Sequence, residues 1–346
     1  MDMELRRALA AVEDVAALVF EREPRTRSVG VGRVGAGYGY VATRNVEASV
    51  PLSARRDLVG RDLPQRFHDV PIVYRDSSAD PTSLAKVRYQ APGRTGAGHP
   101  LPEQCCQANL SCGLEIQNFD DDSRQNLVAA GIMNVGSLGC FVRTASDELA
   151  LLSNSHVVAG ENRGVSGHDR ILHAGATAFS SARHIGTLGS YEPLVPSPHG
   201  ASVLAGNVVY NEVDAGLAVL DSGRKVTQAY LAGRHAKPPG ATAPVQLSDR
   251  VHKVGRTTGL TYGQVTQIGA VVDAVGYDVG PCWFRDSFVI EGMDHQTFAD
   301  GGDSGSAIVR THDGAILGLL YAGLAGTLTY ACPIEAVFRR LNCRLS

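Results

Sequence analysis

The sequence predicts a mainly β fold, a barrel or sandwich, on three observations. Its composition is turn-rich: 39 glycines in 346 residues, 44% apolar but only 6% aromatic, which describes a globular chain with few long helices. Beyond residue 126, apolar runs of strand length recur between turn residues, at 138–143, 148–152, 184–188, 216–220, 251–254, 263–268, 286–290, 306–309 and 316–321. No internal repeat of solenoid period is visible, and short strands at this regular spacing suggest a barrel or sandwich.

The elements follow in chain order. Leu5, Leu9, Val12, Val15, Ala16 and residues 18–20 recur near the helical period with Arg and Glu between them, which predicts one amphipathic helix over 3–20. Pro24 ends it, and residues 28–43 alternate small, apolar and aromatic side chains as paired strands do. Gly30, Gly32 and Gly35 spell a literal G-x-G-x-x-G. A dinucleotide site needs a helix opening on those glycines, and here strand continues instead, so they are read as hairpin glycines. Residues 76–124 are rich in Ser, Pro, Gly, Gln and Asp and predict a long connecting segment. The expected organisation is a helix and small β region over 1–100, a linker over 101–126 and the main domain over 127–346. Pro333 and the apolar spacing after it predict a closing helix to Leu341.

A formal net charge of -3 gives no excess of cations for phosphates, so no nucleic-acid partner is expected. The first 20 residues interleave acids and arginines with apolar positions, unlike a signal peptide or a membrane span, so a cytoplasmic chain without membrane contact is expected. That same helix is a candidate face for a homo-oligomer, set against simple packing on the neighbouring strands. The seven cysteines are an odd number and are expected to be reduced. Cys105, Cys106 and Cys112 lack a second Cys or His pair at metal-binding spacing, so neither metal nor organic cofactor is expected.

Three sites carry chemistry. A serine hydroxyl is a weak nucleophile at neutral pH; it needs a base, a group that orients the base, and donors for the oxyanion. Residues 151–158, LLSNSHVV, run an apolar strand into a polar turn bearing His156. Residues 211–220, NEVDAGLAVL, stand Asp214 at the entrance of an apolar strand. Either residue alone is commonly a surface or turn side chain. The third site is more specific: GGDSGSAIV, 301–309, flanks Ser304 with glycines that turn the chain tightly and aim the amides of Gly302 and Ser304 at one point. The order His, Asp, Ser excludes an α/β-hydrolase, which runs Ser, Asp, His and needs G-x-S-x-G.

SNSHVV, VDAGLAVL and GGDSGSAIV resemble the histidine, aspartate and serine motifs of chymotrypsin-like (trypsin-like) serine peptidases, over about residues 127–341. With LGCFVR, KVGRTTGLTYGQV (253–265) and LGLLYAG (317–323), the chain is similar to the bacterial relatives of the plant narrow-leaf-type serine proteases. The resemblance implies a chymotrypsin-like double six-stranded β-barrel with a C-terminal helix, preceded by a small N-terminal α+β region. It implies a serine endopeptidase acting on a protein or peptide substrate, with His156 as base, Asp214 as orienter, Ser304 as nucleophile, the Gly302 and Ser304 amides as oxyanion donors, and the backbone of Tyr321, Ala322 and Gly323 as the substrate-pairing edge. Counting back from Ser304 puts Phe298 at the base of a specificity pocket, with Asp300 close by.

The chain also departs from the family's pattern. Tyr321 stands where relatives keep a small hydroxyl residue supporting the aspartate. No convincing activation cleavage would supply an N-terminus for Asp303, although Gly131-Ile132 superficially resembles one, so a constitutively formed serine loop is expected. Two other readings of the sequence are an inactive peptidase-fold scaffold and a protease restricted to its own chain or one partner, the latter suggested by the long Pro/Gly-rich segment before the barrel.

Overall fold

The computed structural model describes residues 2–45, 63–77, 81–83, 101–198, 203, 206–324 and 327–346. The chain is mainly β, built on two large sheets. Strand runs expected at 138–143, 148–152 and 216–220 are Cys140–Arg143, Leu149–Ser153 and Gly216–Leu220. With Glu115–Asn118, Val135–Ser137, Arg170–His173, His184–Tyr191 and Arg344–Leu345 they make an eight-stranded sheet. Gly113 and Leu138 donate to the Leu138 and Leu114 carbonyls at 2.7 and 2.8 Å, extending the pairing of Glu115–Asn118 with Val135–Ser137. Residues expected as linker thus include a strand of this sheet, and Leu110, Leu114 and Ile116 are buried in its core. Their polar neighbours mask that role in the sequence.

The second sheet contains a closed cycle of six strands: Arg250–Gly255, Gly259–Ala274, Cys282–Gly292, Leu328–Pro333, Ala315–Leu324 and Ala307–Arg310, each bonded to the next, with the last pairing back to the first. With the eight-stranded sheet beside this closed barrel, the architecture is the double-barrel type that the resemblance implies. The closing helix Ile334–Leu341 follows, with Ile334, Val337 and Leu341 buried.

The N-terminal region adds to the second sheet. Thr26–Val34 pairs antiparallel with Gly259–Ala274 on one side and with Gly37–Asn45 on the other. Gly30 and Gly32 lie inside that strand, where a Cβ would meet Gln267 Oε1 at 2.9 Å and Thr266 O at 2.8 Å; close strand approach explains them, with no phosphate loop. The expected single helix is two, Met3–Ala10 and Val12–Arg22, broken at Ala11. The break sits over Gly269, at an irregularity of the long strand, and lets both apolar stripes follow the curved sheet. Phe20 packs on Trp283 with ring centroids 4.7 Å apart. No described helix is long and apolar enough to cross a membrane.

Candidate active site

His156 sits in a single helical turn, Ser155–Val158, directly after the strand Leu149–Ser153. Asp214 precedes the neighbouring strand Gly216–Leu220, whose pairing with Leu149–Ser153 sets Ser153 opposite Gly216. This register brings the carboxylate under the imidazole. His156 Nδ1 is hydrogen-bonded to Asp214 Oδ2, and the His156 amide donates to Asp214 Oδ1 at 3.1 Å. Tyr277 Oη donates to the same Oδ2 at 3.0 Å, and Asn154 Nδ2 donates to the Asp214 carbonyl at 2.6 Å. Burial, with Asp214 beside it, pushes the Tyr277 phenol well up, so it stays a donor.

Ser304 comes from the other barrel but is pinned to the first. Its carbonyl accepts from the Ser137 amide at 2.7 Å. Gly136 lies between Val157, next to the histidine, and the Ser304 carbonyl, with room for nothing larger. Ser304 Oγ donates to the Tyr321 carbonyl at 3.5 Å, while His156 Nε2 has no hydrogen-bond partner among the described residues. Ser304 and Asp214 are 0% exposed and His156 4%, so the three groups are closed from water.

The serine loop is fixed by contacts on both flanks. Gly302 and Gly305 have φ of +92° and +87°, a region that costs a side chain dearly. A Cβ at Gly305 would lie 2.1 Å from Ser153 Oγ, and one at Gly302 2.6 Å from the Arg256 side chain. Ser137 Oγ donates to the Gly302 carbonyl at 3.0 Å, and Thr257 Oγ1 to the Gly301 carbonyl at 2.5 Å. Neither the Gly302 nor the Ser304 amide donates to a described residue, whereas the Asp303 and Gly305 amides are bonded to Asp300 and Leu320 carbonyls.

Asp303 is the anchor of that loop. Its carboxylate accepts from the Thr257 and Thr258 amides at 2.9 and 3.2 Å, from Thr258 Oγ1 at 2.7 Å, and pairs with Lys253 Nζ at 3.1 Å, both side chains being 0% exposed. Burial pulls the Lys253 ammonium below its usual range against the pull of Asp303. Lys253 is the functional neighbour that the motif KVGRTTG contained but sequence reasoning did not assign. At 131–132 the Ile132 amide donates to the Leu127 carbonyl at 2.8 Å.

The remaining expected residues divide. Tyr321 Oη bonds Ser287 Oγ at 2.9 Å and its ring lies 4.3 Å from Phe284, so the hydroxyl on Asp214 comes from Tyr277 instead. That substitution was invisible because Tyr277 lies in a loop far from any motif. Tyr321, Ala322 and Gly323 form the strand beside Ser304, paired on one side with Leu328–Pro333. Phe298 is buried in the apolar cluster with Val251, Ile290 and Leu320, its carbonyl accepting from Thr261 Oγ1 at 2.7 Å. Asp300 is exposed. Cys105 and Cys106 are exposed, while Cys112 is buried with its thiol pushed well up by that burial. No group of three or more His, Cys, Asp or Glu able to hold a metal occurs among the described residues.

A family model described as the Nal1 C-terminal domain matches residues 241–327, a stretch that holds Lys253, Tyr277, Ser304 and Tyr321 but neither His156 nor Asp214. No curated protein matches the chain. Among solved structures it is similar to Protease A of Thermobifida fusca, at 19% identity over 61% of this chain and 91% of that one, TM-score 0.42. It is also similar to a Nocardiopsis protease, at 16% identity over 69% and 99%, TM-score 0.45. A Cellulomonas bogoriensis chymotrypsin matches at 16% identity over 61% and 90%, TM-score 0.40.

Proposed function

We propose that the protein is a serine endopeptidase that cleaves peptide bonds through an acyl-enzyme on Ser304. The observation that carries this reading is the buried Asp214–His156 pair in the barrel to which Ser304 is tied through the Ser137 amide, with the Gly302 and Ser304 amides bonded to no described residue. With its Nδ1 proton donated to Asp214, the imidazole keeps a lone pair on Nε2, the atom left without a partner. In the proposed step Ser304 Oγ leaves the Tyr321 carbonyl and gives its proton to Nε2. Oγ then bonds to the substrate carbonyl carbon, and the oxyanion is held by the Gly302 and Ser304 amides.

The imidazolium gives its proton to the leaving nitrogen as the C–N bond breaks, leaving the acyl group on Oγ. Water attacks that ester while Nε2 takes its proton, and the proton returns to Oγ as the acid leaves. A fluorophosphonate probe tests the reading on the full chain. Labelling is expected in the wild type and absent in Ser304→Ala, with hydrolysis of a peptide library falling by roughly 10⁴-fold or more. Wild type that resists the probe under all conditions would favour an inactive scaffold.

A further inference from the structure

The strand beside Ser304 already has a peptide on its outer side, and that peptide is part of this chain. Residues Thr82–Ser83 pair antiparallel with Ala315–Leu324, Thr82 opposite Gly323 and Ser83 opposite Ala322. They are anchored just upstream, where the Val275 amide donates to the Pro81 carbonyl at 2.8 Å and Pro81 is buried. The next position of the strand in the direction of travel is Tyr321, whose carbonyl lies 3.5 Å from Ser304 Oγ. The segment therefore runs N to C toward the nucleophile. An extended peptide about to be attacked must take that polarity on this edge, because a strand laid the other way would carry its C-terminal side away from Ser304.

We propose that residues 81–83 act as an internal competitor, holding the acyl side of the cleft in the orientation of a substrate until an external extended peptide displaces them. The proposal rests on the peptidase reading for its biological sense but not for its test. Two further observations favour it over a strand that is simply part of the sheet. Among the described residues the segment pairs with Ala322 and Gly323, one step from the carbonyl at Ser304 Oγ, whereas the opposite side of the same strand is bonded to Leu328–Pro333 from Gly318 to Leu324. The site it adjoins is also closed, with Ser304 and Asp214 at 0% exposure, so an external carbonyl needs a piece of the protein to withdraw. Being tethered to the same chain, the segment competes with an external peptide at a high effective concentration.

The test is a titration on the full-length Ser304→Ala chain, where catalysis plays no part. A dye-labelled synthetic peptide of residues 78–88 is added, and its affinity is compared with that for Ser304→Ala carrying Thr82→Pro and Ser83→Pro; adjacent residues of an antiparallel strand turn their amides to opposite sides, so the two prolines together remove the one that donates to the edge. If the segment fills the edge nine-tenths of the time, freeing it tightens the apparent Kd about tenfold. Equal affinities for the two chains, or a peptide that binds neither, would overturn the proposal. Should the prolines lower the melting temperature, Thr82→Gly with Ser83→Gly replaces them and is expected to tighten binding by roughly threefold, since glycine makes ordering the segment costlier. Probe labelling of the wild type is scored separately: its failure would sink the peptidase reading while leaving the titration to stand or fall alone.

Discussion

Two buried aspartates meet at this site and are satisfied in opposite ways. Asp303, from the second barrel, has a permanent counter-ion in Lys253 and takes further bonds from Thr257 and Thr258. Asp214, from the first barrel, pairs with no lysine or arginine among the described residues; its carboxylate is held by the His156 ring and amide and the Tyr277 hydroxyl. A carboxylate already neutralised by an ammonium has little left to offer a charge that forms later. One held by neutral groups gains most when its neighbour becomes an imidazolium, which is the moment at which a peptidase needs the help. The first carboxylate therefore shapes a loop, and the second suits the proposed reaction.

The contrast can be broken at its centre. Asp214→Asn is expected to lower kcat by about 10⁴-fold, because the amide favours the wrong imidazole tautomer, while the melting temperature moves little. Steady-state kinetics alongside thermal unfolding check this; a large loss of stability with residual activity intact would erase the distinction. Next in size is Lys253→Met, which strands Asp303 as an uncompensated buried charge and should cost about 3–5 kcal/mol of stability. Adding Asp303→Asn to it should recover much of that loss in a denaturant titration, since the remaining pair is neutral. Smallest is Tyr277→Phe, which removes one hydrogen bond to a charged acceptor, worth about 1.5 kcal/mol, or roughly tenfold in kcat. A matching rise in KM with kcat unchanged would instead place Tyr277 in substrate binding.

Much of this was legible along the chain. Each of His156, Asp214 and Ser304 stands where an apolar strand gives way to polar turn residues, a local pattern that marks the rim of a sheet. The closing helix was legible for the same reason, from Pro333 and the spacing of Ile334, Val337 and Leu341. The break at Ala11 was not, because the apolar stripe runs on through it and only the strand irregularity at Gly269 imposes the bend. Residues 110–118 were hidden by polar neighbours that the structure satisfies internally, as with Glu115, whose carboxylate accepts from Arg256 Nε at 2.7 Å.

The sequence by itself determined many of the strands, though not the one at 115–118, and which three side chains stand at strand ends, because burying one face of a strand leaves a periodic trace in nearby residues. Only the tertiary structure decided which partners those side chains meet. Lys253 reaches Asp303, Tyr277 reaches Asp214, and residues 82–83 reach the edge beside Ser304 across long stretches of chain. Such pairings are set by how sheets close, and a buried lysine or a lone tyrosine in a loop leaves no periodic trace to announce them.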